Sequence, residues 1–104
     1  MNNDEARAIL RSELAKYREL AYAQLRDMVG AKKRVFRVKG ASGTEYQMDI
    51  YAHWDSTPNG DVRVIGCIDD CGWRAFLPMN DSFIKAPDDS FVGEMATVES
   101  PKPN

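Results

Sequence analysis

The sequence predicts an α+β domain. An N-terminal amphipathic helix packs on one face of a four-stranded antiparallel meander, and an irregular C-terminal segment covers part of the sheet. Three observations predict it. From Thr44 to Trp54 the chain alternates: Tyr46, Met48, Ile50, Ala52 and Trp54 fall on one parity, Glu45, Gln47, Asp49, Tyr51 and His53 on the other. A strand turns successive side chains to opposite faces, so this segment is a strand with one apolar side. Residues 4 to 29 carry an apolar stripe at helical spacing, the natural cover for that side. Three loops placed independently along the chain then give one consistent sheet register.

The helix reads over residues 4 to 29. Leu10, Leu14, Tyr17, Ala21, Leu25 and Met28 recur at spacings of three and four, with Ile9 and Leu20 widening the stripe. Arg11, Lys16, Arg18, Glu19 and Arg26 lie opposite. Asn2 or Asn3 caps the first turn, Asp4 and Glu5 suit the positive end of the dipole, and Gly30 ends the helix.

Lys33 to Lys39 reads as the first strand, closed by the hairpin loop Ala41-Ser42-Gly43. The alternating segment is the second. Asp55 to Gly60 is dense in turn formers, Asp61 to Asp69 makes a third strand, Asp70-Cys71-Gly72 turns again, and Trp73 to Leu77 makes a fourth, stopped by Pro78. Setting Val38 opposite Tyr46, Trp54 opposite Val62 and Ile68 opposite Trp73 puts apolar residues of all four strands on one side. From Met79 to Glu94 periodicity fades, which reads as irregular chain with one helical turn near Asp81 to Lys85. Residues 95–104 read as a flexible tail on a single domain of residues 1–94.

A chain of 104 residues, 43% hydrophobic and 29% charged, has room for one modest core. No apolar run is long enough to cross a membrane, and the first residues lack the basic-then-apolar order of a signal peptide, so the expected location is cytoplasmic. A net charge of −2 supplies no global field toward nucleic acid or an anionic membrane, and neither is expected as a partner.

The most suggestive feature is the outer sheet face. In this register Tyr51 lies opposite Ile65 and Ile65 opposite Phe76, with Cys67 and Val35 nearby and His53, Arg63 and Arg74 at the margin. A solvated face is ordinarily more polar. Either Phe83, Ile84, Phe91 and Val92 fold back over it, a reading favoured by the apolar supply of that segment, or the face meets a second subunit or another protein. The basic run Lys32, Lys33, Arg34, Arg37 and Lys39 reads as edge-strand protection rather than phosphate binding, since Phe36 is its one interleaved aromatic.

Asp55 to Gly60 resembles a calcium loop only in part, because Gly66 stands where the bidentate glutamate belongs. Asp69, Asp70, Asp88 and Asp89 are acidic, but their spacing requires no cation. Cys67 and Cys71, with one histidine in the chain, fall short of a tetrahedral zinc set and fail the redox spacing. No metal or cofactor is expected. His53 has Arg63 as its expected cross-strand neighbour, a poor partner for a general base, with Tyr51 and Asp55 two positions away along the strand.

The sequence therefore points to a non-catalytic interaction domain that contacts itself, as a homodimer, or another protein. Its expected surface is Tyr51, Ile65 and Phe76, rimmed by Arg63, Arg74 and His53. The alternative is a small-molecule-binding or enzymatic domain with a pocket near His53 and the Asp69/Asp70 turn.

Overall fold

The structure is a computed structural model and describes residues 3–70 and 79–94. The stripe expected to form one helix forms two, α1 (Asn3–Arg18) and α2 (Tyr22–Arg26). The interruption arises from tertiary bonds at both new ends. The Lys85 ammonium donates to the carbonyls of Arg18 (3.0 Å) and Leu20 (2.7 Å), where α1 runs out of partners. Ala21 is extended (φ −69°, ψ 155°), its amide donates to Gln24 Oε1 at 3.0 Å, and the Tyr22 amide donates to Asp89 Oδ1 at 2.7 Å. The break shifts the stripe, so Tyr22 is buried and Ala21 exposed. Gly30 follows α2 with φ 82°.

Four strands, β1 (Arg34–Lys39), β2 (Glu45–Trp54), β3 (Val62–Asp69) and β4 (Met79–Lys85), form one antiparallel sheet in the order β1-β2-β3-β4. Val38 pairs with Tyr46 and Trp54 with Val62, as the first two hairpins predict. The Ala41-Ser42-Gly43 loop closes through Gly40 N–H to Thr44 O at 2.9 Å, with Gly43 at φ 92°, where a side chain would be strained.

The third hairpin differs. Ile68 pairs with Met79 rather than Trp73, and Ile65 with Ser82 rather than Phe76. The segment expected to be irregular is thus β4, and the expected strand Trp73 to Leu77 lies outside the described residues. The cause is visible in β4 itself. Met79, Asp81, Phe83 and Lys85 share the inner parity, so two charged residues interrupt its alternation. The adjacent apolar pair Phe83-Ile84 splits between the faces and imitates a helical turn.

The inner face holds Tyr46, Met48, Ile50, Val62, Val64 and Ile68, all fully buried, against Ala6, Leu10, Leu14 and Tyr17 of α1 and Leu25 of α2. Gly66 lies among them. A Cβ there would stand 2.8 Å from Leu10 Cδ1, 3.1 Å from Ile50 Cδ1 and 3.2 Å from Leu14 Cδ2. The missing side chain lets α1 settle directly on β3.

Glu5 fastens the start of α1 to the first hairpin. Its carboxylate accepts from the Ser42 amide (2.9 Å), the Ser42 hydroxyl (2.7 Å) and the Tyr46 hydroxyl (2.7 Å). The Ser42 and Tyr46 hydroxyl bonds hold Glu5 below the usual carboxylate range. Burial and the Glu5 carboxylate push Tyr46 from 10 up to about 12. The two shifts act at opposite ends of the pH scale. The Glu5 contribution is present above the ordinary carboxylate pKa and is lost as pH falls through the lowered folded value. The Tyr46 contribution is present below pH 10 and is lost as pH rises toward 12. Glu5→Gln should therefore flatten the acid limb of a denaturation-versus-pH profile, and Tyr46→Phe the alkaline limb. An unchanged acid limb in Glu5→Gln would show that the latch does not hold in solution.

Candidate functional site

Four rows of three or more side chains cross the outer face. Arg37, Gln47 and Asp69 form one, Val35, Asp49, Cys67 and Asn80 the next, Tyr51, Ile65 and Ser82 the third, and His53, Arg63 and Ile84 the fourth. The predicted Tyr51–Ile65 and His53–Arg63 pairs are in register. Phe76 and Arg74, and Cys71 with them, lie outside the described residues. Tyr51 and Ile65 are half-buried, and Val35 is 53% exposed.

Residues 86–94 run along the β4 edge of the sheet rather than across these rows. Residues 86–90 turn back, with Ala86 N–H donating to Ser90 O at 2.8 Å. Phe91 then bridges to Lys85, and Val92 N–H donates to Ile84 O at 2.9 Å, lengthening the sheet past β4. The Phe91 ring meets Phe83 edge-on at 5.9 Å, on the helix side. Arg18 lies 4.2 Å from the centroid of Phe91 and makes a two-pronged pair with Glu94 at 2.6 and 2.8 Å. Of the residues expected to fold back over the face, two do not: Phe83 belongs to the main core and Phe91 packs beside α1. Ile84 takes an outer position, and Val92 is its register partner at the β4 edge.

Arg63 is fixed in place. Its Nε donates to Asp55 Oδ1 at 3.0 Å and one terminal nitrogen donates to Ser82 Oγ at 3.1 Å. Asp55 therefore serves Arg63 rather than His53, whose Nδ1 lies 2.9 Å from the Trp54 carbonyl. The rings of Tyr51 and His53 are 6.4 Å apart. His53 pairs with Arg63 and Asp69 with Gln47, six residues apart along β3, or about 20 Å. One small pocket does not contain both.

A groove of about 460 Å³ opens elsewhere, where the loop before β1 meets the outer face. Gly30, Ala31, Lys33, Asp49, Tyr51 and Cys67 line it. Lys33 Nζ holds Asp49 Oδ2 at 3.2 Å, while Asp49 Oδ1 is buried with no hydrogen-bond partner among the described residues. Burial raises the Cys67 thiol, and burial followed by the neighbouring Cys67 raises Tyr51. A thiol raised in this way is held in its protonated form, unlike an activated nucleophile. Among the described residues, no group of three or more His, Cys, Asp or Glu side chains is placed to hold a metal ion. Asp88 binds the Ser90 amide and hydroxyl, and Asp89 caps α2, so both belong to the turn after β4, far from Asp69.

Sequence reasoning missed Lys85, Asp89 and Gly66, all structural, and the groove at Lys33 and Asp49. Lys85 had no sequence signal, because its partners are main-chain carbonyls at the break between α1 and α2. No helix among the described residues is long and apolar enough to cross a membrane. Comparison of the chain with protein-family models, with characterised proteins and with solved structures gives no match.

Proposed function

We propose that this domain is a non-catalytic protein-interaction module whose contact surface is the outer sheet face around Tyr51 and Ile65, with Arg63 and His53 at its rim. One observation carries the reading. The face presents Val35, Tyr51, Ile65 and Ile84 across all four strands, and among the described residues Phe83 and Phe91, expected to cover it, lie on the helix side instead. Apolar side chains grouped on one face suit docking, since a central aromatic and a rigid arginine supply much of the energy of an interface. Arg63 is well suited to the rim because Asp55 and Ser82 fix its position before any partner arrives.

The simplest partner is a second copy. Sedimentation over a wide concentration range should reveal reversible association, and Ile65→Glu should weaken it by tenfold or more, about 1.4 kcal/mol, while leaving thermal stability nearly unchanged. A chain that stays monomeric, with Tyr51 and Ile65 protected from solvent-borne labelling in that monomer, would overturn the proposal.

A further inference from the structure

The two edges of the sheet are treated differently. Beyond β4 the chain supplies its own cover through the Lys85–Phe91 bridge and the Val92–Ile84 bond. Among the described residues, β1 at the other edge pairs with β2 alone. The ladder alternation, set by Gly40 N–H bonding Thr44 O, turns the backbone groups of Arg34, Phe36 and Val38 toward β2. The N–H and C=O groups of Val35, Arg37 and Lys39 therefore point outward along an exposed strand.

The side chains of β1 limit what can pair there. A second copy of β1, related by a two-fold axis through the sheet, sets outer residues against outer residues. Each register that keeps most of the strand paired then places Arg37 across from Arg37 or Lys39, or Lys39 across from Lys33, like charges that destabilise the pair. An acidic strand meets the reverse situation. Arg37 has only a 3.8 Å exposed contact with Glu45 to give up. On the inner side, Phe36 and Val38 are only half-buried at the margin of the core. The geometry points to a second contact surface: β1 accepts an extended protein segment that alternates acidic with apolar residues and adds to the sheet as a fifth strand. Its main chain bonds the outward groups of Val35, Arg37 and Lys39, its acidic residues face Arg37 and Lys39, and its apolar residues extend the inner face over Phe36 and Val38. The cations that exclude self-pairing are the ones that select this partner.

The inference rests on the reading of the domain as an interaction module, but uses its edge rather than its outer face. The test is a titration of the isotopically labelled full chain with the peptide acetyl-(Glu-Val)3-Glu-amide. Amide exchange at Val35, Arg37 and Lys39 should slow by about tenfold at saturation, and the response should weaken as salt is raised. The double variant Arg37→Glu, Lys39→Glu, whose changes are exposed and leave the β2–β3 resonances in place, should lose the effect. The edge proposal is overturned if those three amides do not respond, if the corresponding Lys-Val peptide acts equally well, or if a single-stranded oligonucleotide reproduces the response. A response confined to Tyr51 and Ile65 also overturns it, and leaves the outer-face module standing.

Discussion

Gly66→Ala is expected to destabilise the domain by about 2 kcal/mol, although alanine is ordinarily the better strand residue. The new Cβ would lie 2.8 Å from Leu10 Cδ1, and a packed core accommodates such an intrusion only by shifting the helix or forcing a rotamer. Leu10→Ala alone should cost about 3 kcal/mol, since Leu10 is 1% exposed and its loss leaves a cavity. The double variant is the informative one. With Leu10 shortened, the closest contact disappears and the added methyl fills part of the cavity, so Gly66→Ala should become nearly neutral. The coupling of about 2 kcal/mol belongs to the contact between α1 and β3. Chemical denaturation of the four proteins measures it, and simple additivity of the two changes would show that Leu10 does not rest on Gly66.

Lys85→Met should cost about 3 kcal/mol. Lys85 is 5% exposed, and its ammonium is the donor for the carbonyls of Arg18 and Leu20 at the point where α1 ends. The change preserves most of the aliphatic stem and removes the donors, which leaves two carbonyls short of partners; each orphaned group costs about 1–3 kcal/mol. The ammonium also lies 4.9 Å from the centroid of Phe91, so the segment after β4 should loosen together with the helix end. Hydrogen exchange should quicken from Arg18 to Tyr22 and at Val92 before it quickens in β2. Stability within about 0.5 kcal/mol of the parent, the range of an ordinary surface change, would refute this role.

Both residues illustrate what a sequence conceals. The β2 alternation and the α1 stripe were legible because each is a local repeat that matches the geometry of one element. The first two hairpins were legible because their turn chemistry and apolar parity agree. Lys85, Asp89 and Gly66 act through residues 65, 67 and 56 positions away, respectively, so no short window reveals them. The same reason explains the helix break at Glu19 to Ala21, where the stripe continues but the backbone bonds are diverted to β4 and the turn after it. In β4, Asp81 and Lys85 occupy inner positions and Ile84 an outer one, which erases the period of two. The Tyr51–Ile65 pair of the proposed contact face followed from the β2–β3 register. The position of β1 at a sheet edge also followed, from its run of basic residues. The cover of the β4 edge by residues 86–94 did not, because it depends on the Lys85–Phe91 bridge, in the stretch where periodicity fades.

The claim underlying all of this is that even-numbered residues of β2 and β3 lie beneath α1 while odd-numbered ones face away. A nuclear Overhauser spectrum of the labelled chain tests it most directly. The Hα protons of Gly66 should contact the methyl groups of Leu10 and Leu14, and the Ile65 side chain should contact Tyr51 and no residue of α1. Contacts from Ile65 or Tyr51 to the α1 methyl groups, with Gly66 silent, would contradict the fold and remove both proposed surfaces with it.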